Sequence, residues 1–165
     1  MAIKNHKRGF ALLIAIIFMS VMLSFGLALS SVSYKQAILA SGALESQYAF
    51  YAADAALECA LFADQRRNLF DYASHATSHP DLITSVTCTG MTAADTGYAY
   101  SSSRMVISQR LSLYANTRCA DVTVYKPKPG TGITYIFSQG YDVSCTAVNG
   151  ASLGRIVSRG ESIHY

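Results

Sequence analysis

Tryptophan is absent from the 165 residues, proline occurs three times, and charged side chains make up only 14%. Each shortage excludes something. No proline precedes Pro80, so nothing in the first half forbids a long helix. With so few charges and 51% hydrophobic residues, the chain is far too apolar to be disordered as a whole. The length suits one domain of ordinary size plus a segment of other purpose. Positive charge is scarcer than the count suggests. Lys and Arg number 13 against 10 Asp and Glu, a net +3, but Lys4, Lys7 and Arg8 all precede Gly9. That leaves ten charges of each sign from Phe10 onward, so net charge gives no reason to expect a nucleic-acid partner.

Charge is missing altogether between Arg8 and Lys35. Residues 10–32 read FALLIAIIFMSVMLSFGLALSSV, and serine is their only polar side chain. A spanning helix needs about 20 mostly apolar residues at about 1.5 Å each, and serine is tolerated in lipid because its hydroxyl can bond the preceding turn. The basic N-terminal end is expected to stay cytoplasmic, with everything after the span outside. Three readings compete: a cleavable secretory signal, an uncleaved signal anchor, and a third that depends on the junction itself. The first requires a shorter apolar core and a small-x-small cleavage site, and no Ala-x-Ala follows this core before a polar break.

The third reading rests on Lys7-Arg8-Gly9-Phe10, a basic leader ending in Gly, then Phe, then an immediate apolar helix. This junction resembles the class III signal of type IV pilins and pseudopilins. The resemblance implies cleavage by a membrane prepilin peptidase between Gly9 and Phe10, and N-methylation of Phe10. It also implies that the retained helix packs against other pilin subunits in a filament. Removing nine of 165 residues would leave 156. Most pilins carry a glutamate at the fifth mature position, thought to pair with a neighbour's N-terminal amine; here that position is Ile14. A buried charge is costly unless paired, so its absence removes a cost together with a registration device, and points to a minor, priming or tip subunit. The run Ala49-Phe50-Tyr51-Ala52-Ala53-Asp54-Ala55-Ala56-Leu57-Glu58 is similar to the small-residue pattern of PilX-type minor pilins. The likeness covers roughly residues 4–62.

Residues 33–70 are rich in Ala, Leu, Gln and Glu, which favours continued helix. Leu44, Tyr48, Tyr51, Ala55, Cys59 and Phe62 recur at helical spacing and form the expected stripe toward a domain. Gln47, Asp54, Glu58 and Gln65 form the expected solvent stripe. One helix over residues 10–70 would be about 90 Å long, with Gly26 and Gly42 as expected points of bend or melting. The alanine run has a second physical meaning: small side chains let another helix or a sheet approach closely.

After residue 70 the texture changes to β. Residues 71–80 and 91–103 read as loops, and 82–89 as a first strand. Residues 104–114 and 120–125 alternate well. The segment Lys126-Pro127-Lys128-Pro129-Gly130-Thr131-Gly132 breaks the chain as a turn. Ile133, Tyr135, Phe137, Tyr141, Val143 and Cys145 line the expected inner face of the next strand, Asn149-Gly150 gives a hairpin turn, and residues 155–165 make the last strand. Short connections imply an antiparallel meander with one apolar face, which the helix would cover. The expected class is therefore α+β, a long N-terminal helix on a small antiparallel sheet. Its parts are residues 1–9 as leader, 10–32 as span, 33–70 as amphipathic helix and 71–165 as β domain. This is the pilin architecture, although α+β domains of this kind are common.

Cys59, Cys88, Cys119 and Cys145 contain no C-x-x-C and no zinc spacing. All follow the span, where disulfides are permitted. Of three connectivities, Cys59–Cys88 with Cys119–Cys145 closes the shortest loops and costs least entropy. One observation opposes the second bridge: Cys119 is out of phase with Val122 and Val124, whereas Cys145 continues an apolar alternation. His75 and His79 stand four apart, but Pro80 and a Ser/Thr setting indicate loop, not a metal pair. No nucleophile elbow occurs, and Gly130-Thr131-Gly132 lacks the rest of a phosphate loop. Eleven tyrosines without tryptophan suit a β surface or interface better than a catalytic pocket. No enzyme activity, metal or cofactor is expected. The expected role is a filament subunit held in the inner membrane before assembly and exposed at the cell surface after it. The alternatives are an uncleaved single-span binding domain and, more distantly, an extracytoplasmic enzyme.

Overall fold

The computed structural model describes residues 7–72, 88–150 and 154–165. One helix and then a run of strands account for most of them. The helix α1 is Lys7–Gln65. The strands are β1 Met91–Tyr100, β2 Arg104–Leu113, β3 Arg118–Pro127, β4 Tyr135–Tyr141 and β5 Ser158–His164, with a short helix α2 at Cys145–Asn149 between the last two. By compactness the chain divides into two units, Met1–Ala43 and Leu44–Tyr165.

The first unit is helix in all its described residues. It has no core of its own: Phe10, Leu13, Phe18, Met22 and Leu29 are each more than half exposed. Helix persists because the residue types favour it and every interior backbone group bonds within the turn. It runs without interruption through Gly26 and Gly42, where the sequence suggested bending. A Cβ added at Gly26 would meet nothing within 4 Å, so that glycine makes no close contact within the chain.

The second unit is a five-stranded antiparallel meander in the order β1-β2-β3-β4-β5, with residues 44–65 of α1 packed on one face. This gives the α+β class expected from the sequence. The core is formed by Met105, Ile107, Leu111 and Leu113 of β2, Val122 and Val124 of β3 and Ile136 of β4, beneath Ala56, Cys59, Ala60 and Ala63 of α1. The helix stops at Gln65 rather than residue 70. Asn68 turns left-handed (φ 50°), and the Leu69 N–H returns to the Ala63 carbonyl at 3.0 Å.

The buried stripe of α1 differs from the expected one. Leu44, Tyr48, Tyr51 and Phe62 are half or more exposed, and Ala55 is only half-buried. The face on the sheet is instead Ala49, Ala52, Ala53 and Ala56, all at 0% exposure, continuing through Cys59, Ala60 and Ala63. The cause is a close approach at Gly140 of β4. A Cβ there would lie 2.1 Å from the Ala49 carbonyl oxygen and 2.3 Å from the Ala53 nitrogen. Beside it, the Ser138 hydroxyl donates to the Ala53 carbonyl at 2.7 Å. Large side chains could not be accommodated along this contact, so the alanine run performs the close packing its composition allowed.

The same contact inverts β4. Ile136, Ser138 and Gly140 face the helix, while Tyr135 and Phe137 stand on the outer face. Residues 91–103, read as loop, contain β1, which pairs with β2 across an irregularity between Ala93 and Asp95. Most of the expected 82–89 strand lies outside the described residues. Residues 128–132 do form a turn, with Gly130 at φ +80° and the Thr131 N–H bonded to the Lys128 carbonyl. Asn149 and Gly150 close no hairpin: they end α2, where Gly150 caps the helix through its N–H to Thr146 O.

Candidate functional site

The residues singled out by the leader reading fall in the first unit. Lys4 lies outside the described residues. The backbone at Lys7, Arg8 and Gly9 belongs to the first turn of α1, so the Gly9–Phe10 bond sits where helix N–H groups lack intrahelical acceptors and ends fray. From Phe10 the helix exposes apolar side chains in every direction. Four of its serines are self-satisfied: Ser20, Ser24 and Ser31 donate to the carbonyls three residues back at 2.7–2.8 Å, and Ser33 to Leu29 O at 3.0 Å. A hydroxyl closed on its own helix in this way presents no unmet polar group to lipid or to another helix. It is the single described helix long and apolar enough to cross a membrane. Ile14 stands on it, 41% exposed.

In the second unit the four cysteines form Cys59–Cys88 and Cys119–Cys145, with Cα separations of 5.9 and 4.7 Å. The phase objection disappears because Cys145 is not on a strand. Cys119 faces outward beside Tyr141, and α2 brings Cys145 over that face. Ser144 caps α2 by accepting from the Ala147 N–H.

Two ionic clusters hold the second unit together. On the outer face the Arg110 guanidinium grips Asp121 with two bonds of 2.6 Å. Tyr141 donates to the same carboxylate at 3.0 Å, and Arg110 also bonds Asn149 of α2. Burial first, then the Asp121 charge, raises the Tyr141 phenol above its usual range. At the end of α1, Asp64 is 3% exposed. Lys126 reaches both of its oxygens at 2.6–2.7 Å and the Tyr165 phenol donates to one of them. Burial and that bond to Asp64 push the Tyr165 phenol up. Sequence reasoning gave no hint of either cluster, since the partners are distant in the chain.

Asp54 and Glu58 part company. Glu58 is exposed, as its stripe suggested, whereas Asp54 is half-buried opposite Glu161. Burial, followed by the Asp54 charge, raises the Glu161 carboxyl. His75 and His79 lie outside the described residues. Among the described residues, no group of three or more His, Cys, Asp or Glu side chains could hold a metal. No protein-family model, curated protein or solved structure matches the chain.

Proposed function

We propose that this chain is a type IV pilin-like subunit of the minor kind, cut between Gly9 and Phe10 and assembled through residues 10–32 into a surface filament. One observation carries the reading: a basic leader ending in Gly9 is followed at once by Phe10 and a helical run that is uncharged to residue 34 and apolar on all sides. Each large apolar side chain withdrawn from water contributes about 1.5–3 kcal/mol, so this surface must be held in lipid or against like helices. Further support comes from the second unit, a long helix half lying on an antiparallel meander.

In this reading the prepilin peptidase hydrolyses the Gly9–Phe10 amide on the cytoplasmic side, and the freed Phe10 amine takes a methyl group. Lys4, Lys7 and Arg8 hold the leader at that side and leave with it. Subunits then move from the inner membrane into the filament, packing helix on helix. With Ile14 in place of a carboxylate, registration rests on side-chain packing alone. The chain acts as a structural subunit and requires no cofactor.

A second reading, an uncleaved single-span anchored binding domain, is favoured by the same Ile14. Gly9→Ala separates the two in cells that hold the peptidase. The pilin reading expects this variant to accumulate at full length and to disappear from sheared surface material. Normal processing of the variant would refute cleavage at Gly9.

A further inference from the structure

The outer face of the sheet is covered only in part. Strand register sets its side chains in rows. One row runs Val106, Tyr125, Tyr135, His164, and the next runs Gly97, Ser108, Thr123, Phe137, Ser162. The helix α2, tied down by Cys119–Cys145 and by Asn149 on Arg110, lies over the opposite end. The two rows named are left open.

Their chemistry is bipartite. Tyr135 and Phe137 stand parallel (17°) with ring centres 6.4 Å apart. Tyr125 meets Phe137 edge-on at 5.8 Å, and His164 lies 5.7 Å from Tyr135. Ile133, Tyr135 and Phe137 are each more than 40% exposed. Tyr125, Ile133, Tyr135 and Phe137 line a groove of about 430 Å³ together with Arg104 and Pro127. Phe137 also belongs to a second groove of about 370 Å³, whose walls include Thr123, Gln139, Gly160 and Ser162. The two grooves meet at one ring, forming a trough with an aromatic half and a hydroxyl-and-amide half. Each is within the size range of small-ligand sites, roughly 300–1,000 Å³.

We propose that this trough binds an uncharged oligosaccharide. A pyranose has an apolar C–H face, which stacks on Tyr135 and Phe137, and a rim of hydroxyls, which bond Thr123, Gln139 and Ser162. Charge complementarity excludes the other occupants. Two carboxylates line the trough: Asp121 is already neutralised by Arg110 and bonded by Tyr141, and Glu161 is engaged with Asp54 of α1, so a cationic partner gains little there. Arg104 is the single cation among the residues lining the two grooves, too few for a nucleic-acid strand, which needs a basic track. The hydroxyl half is too polar to hold an acyl chain. The inference does not depend on cleavage at Gly9 or on filament assembly.

The test uses the full chain in a detergent without a sugar headgroup, titrated with maltotriose, cellotriose, mannotriose and triacetylchitotriose by calorimetry. At least one should bind. Phe137→Ala, an exposed position whose loss leaves the core intact, should weaken that binding roughly tenfold or more, as truncating an aromatic anchor does. Tyr114→Ala, an exposed ring elsewhere, should not move it. Circular dichroism of both variants should match the parent. The proposal is overturned if none of the four binds or if Phe137→Ala binds as the parent does.

Discussion

Asp64 is the only fully buried carboxylate among the described residues, and it joins the end of α1 to β3 through Lys126 and to the final residue through Tyr165. Removing one partner of a buried pair leaves the other charge uncompensated, at about 3–5 kcal/mol. Lys126→Met should therefore lower unfolding free energy by about 3 kcal/mol, at the lower end because the lysine is partly exposed. Chemical denaturation at neutral pH checks this, and a change below half that size would show the cluster to be incidental. Tyr165 supplies a pH signature. Its folded pKa lies above the unfolded value of about 10, so its contribution is fully present below pH 10 and is lost as pH rises through the folded value. Glu161 behaves in the same sense at lower pH. Its carboxyl is raised by burial and by Asp54, so the folded state binds that proton more tightly and is relatively favoured in acid. Glu161→Gln should raise the melting temperature slightly at pH 7, and the gain should vanish near pH 3, where the parent's carboxyl is protonated too.

Elements were legible in the sequence where side-chain size and side-chain burial agree. β2 and β3 alternate large apolar with polar residues, and both were expected within a few residues of their observed bounds. They diverge where α1 meets β4. Period alone identified a helix and a strand there, but the large residues were assigned inward. The contact is so close that only alanine, serine and glycine fit, which turns Tyr48, Tyr51, Tyr135 and Phe137 outward. The sequence does not mark β1 as a strand because Met91–Tyr100 holds three alanines, an aspartate and a glycine and no Val or Ile. Two substitutions measure the close contact. Gly140→Ala should drive α1 off the sheet and cost at least the roughly 1–3 kcal/mol of an overpacked core. Gly26→Ala, in open space, should leave the second unit's stability unchanged. Equal effects would contradict the packing account. The tether on α2 is testable in the same way. Opening the 26-residue Cys119–Cys145 loop by a double serine substitution should cost about 3–4 kcal/mol on the chain-entropy model, read from denaturation curves under oxidising conditions.

At the scale of the whole molecule the sequence divides its labour by composition. Three leading charges are followed by a segment without any and then by a remainder of balanced charge. The long apolar helix was readable because hydropathy is additive along a chain and needs no tertiary partner. The trough on the outer face was not, because its rows are assembled from five strands whose register no local pattern encodes. Both disulfides were anticipated from loop length, while the reason the second one closes, a short helix carrying Cys145 over the face, emerges only in three dimensions. The central claim is processing at Gly9–Phe10. Intact-mass and N-terminal analysis of the protein taken from cells holding the prepilin peptidase tests it most directly. The account predicts a chain of 156 residues beginning at Phe10 and carrying one added methyl; a chain beginning at Met1 or Ala2 would contradict it.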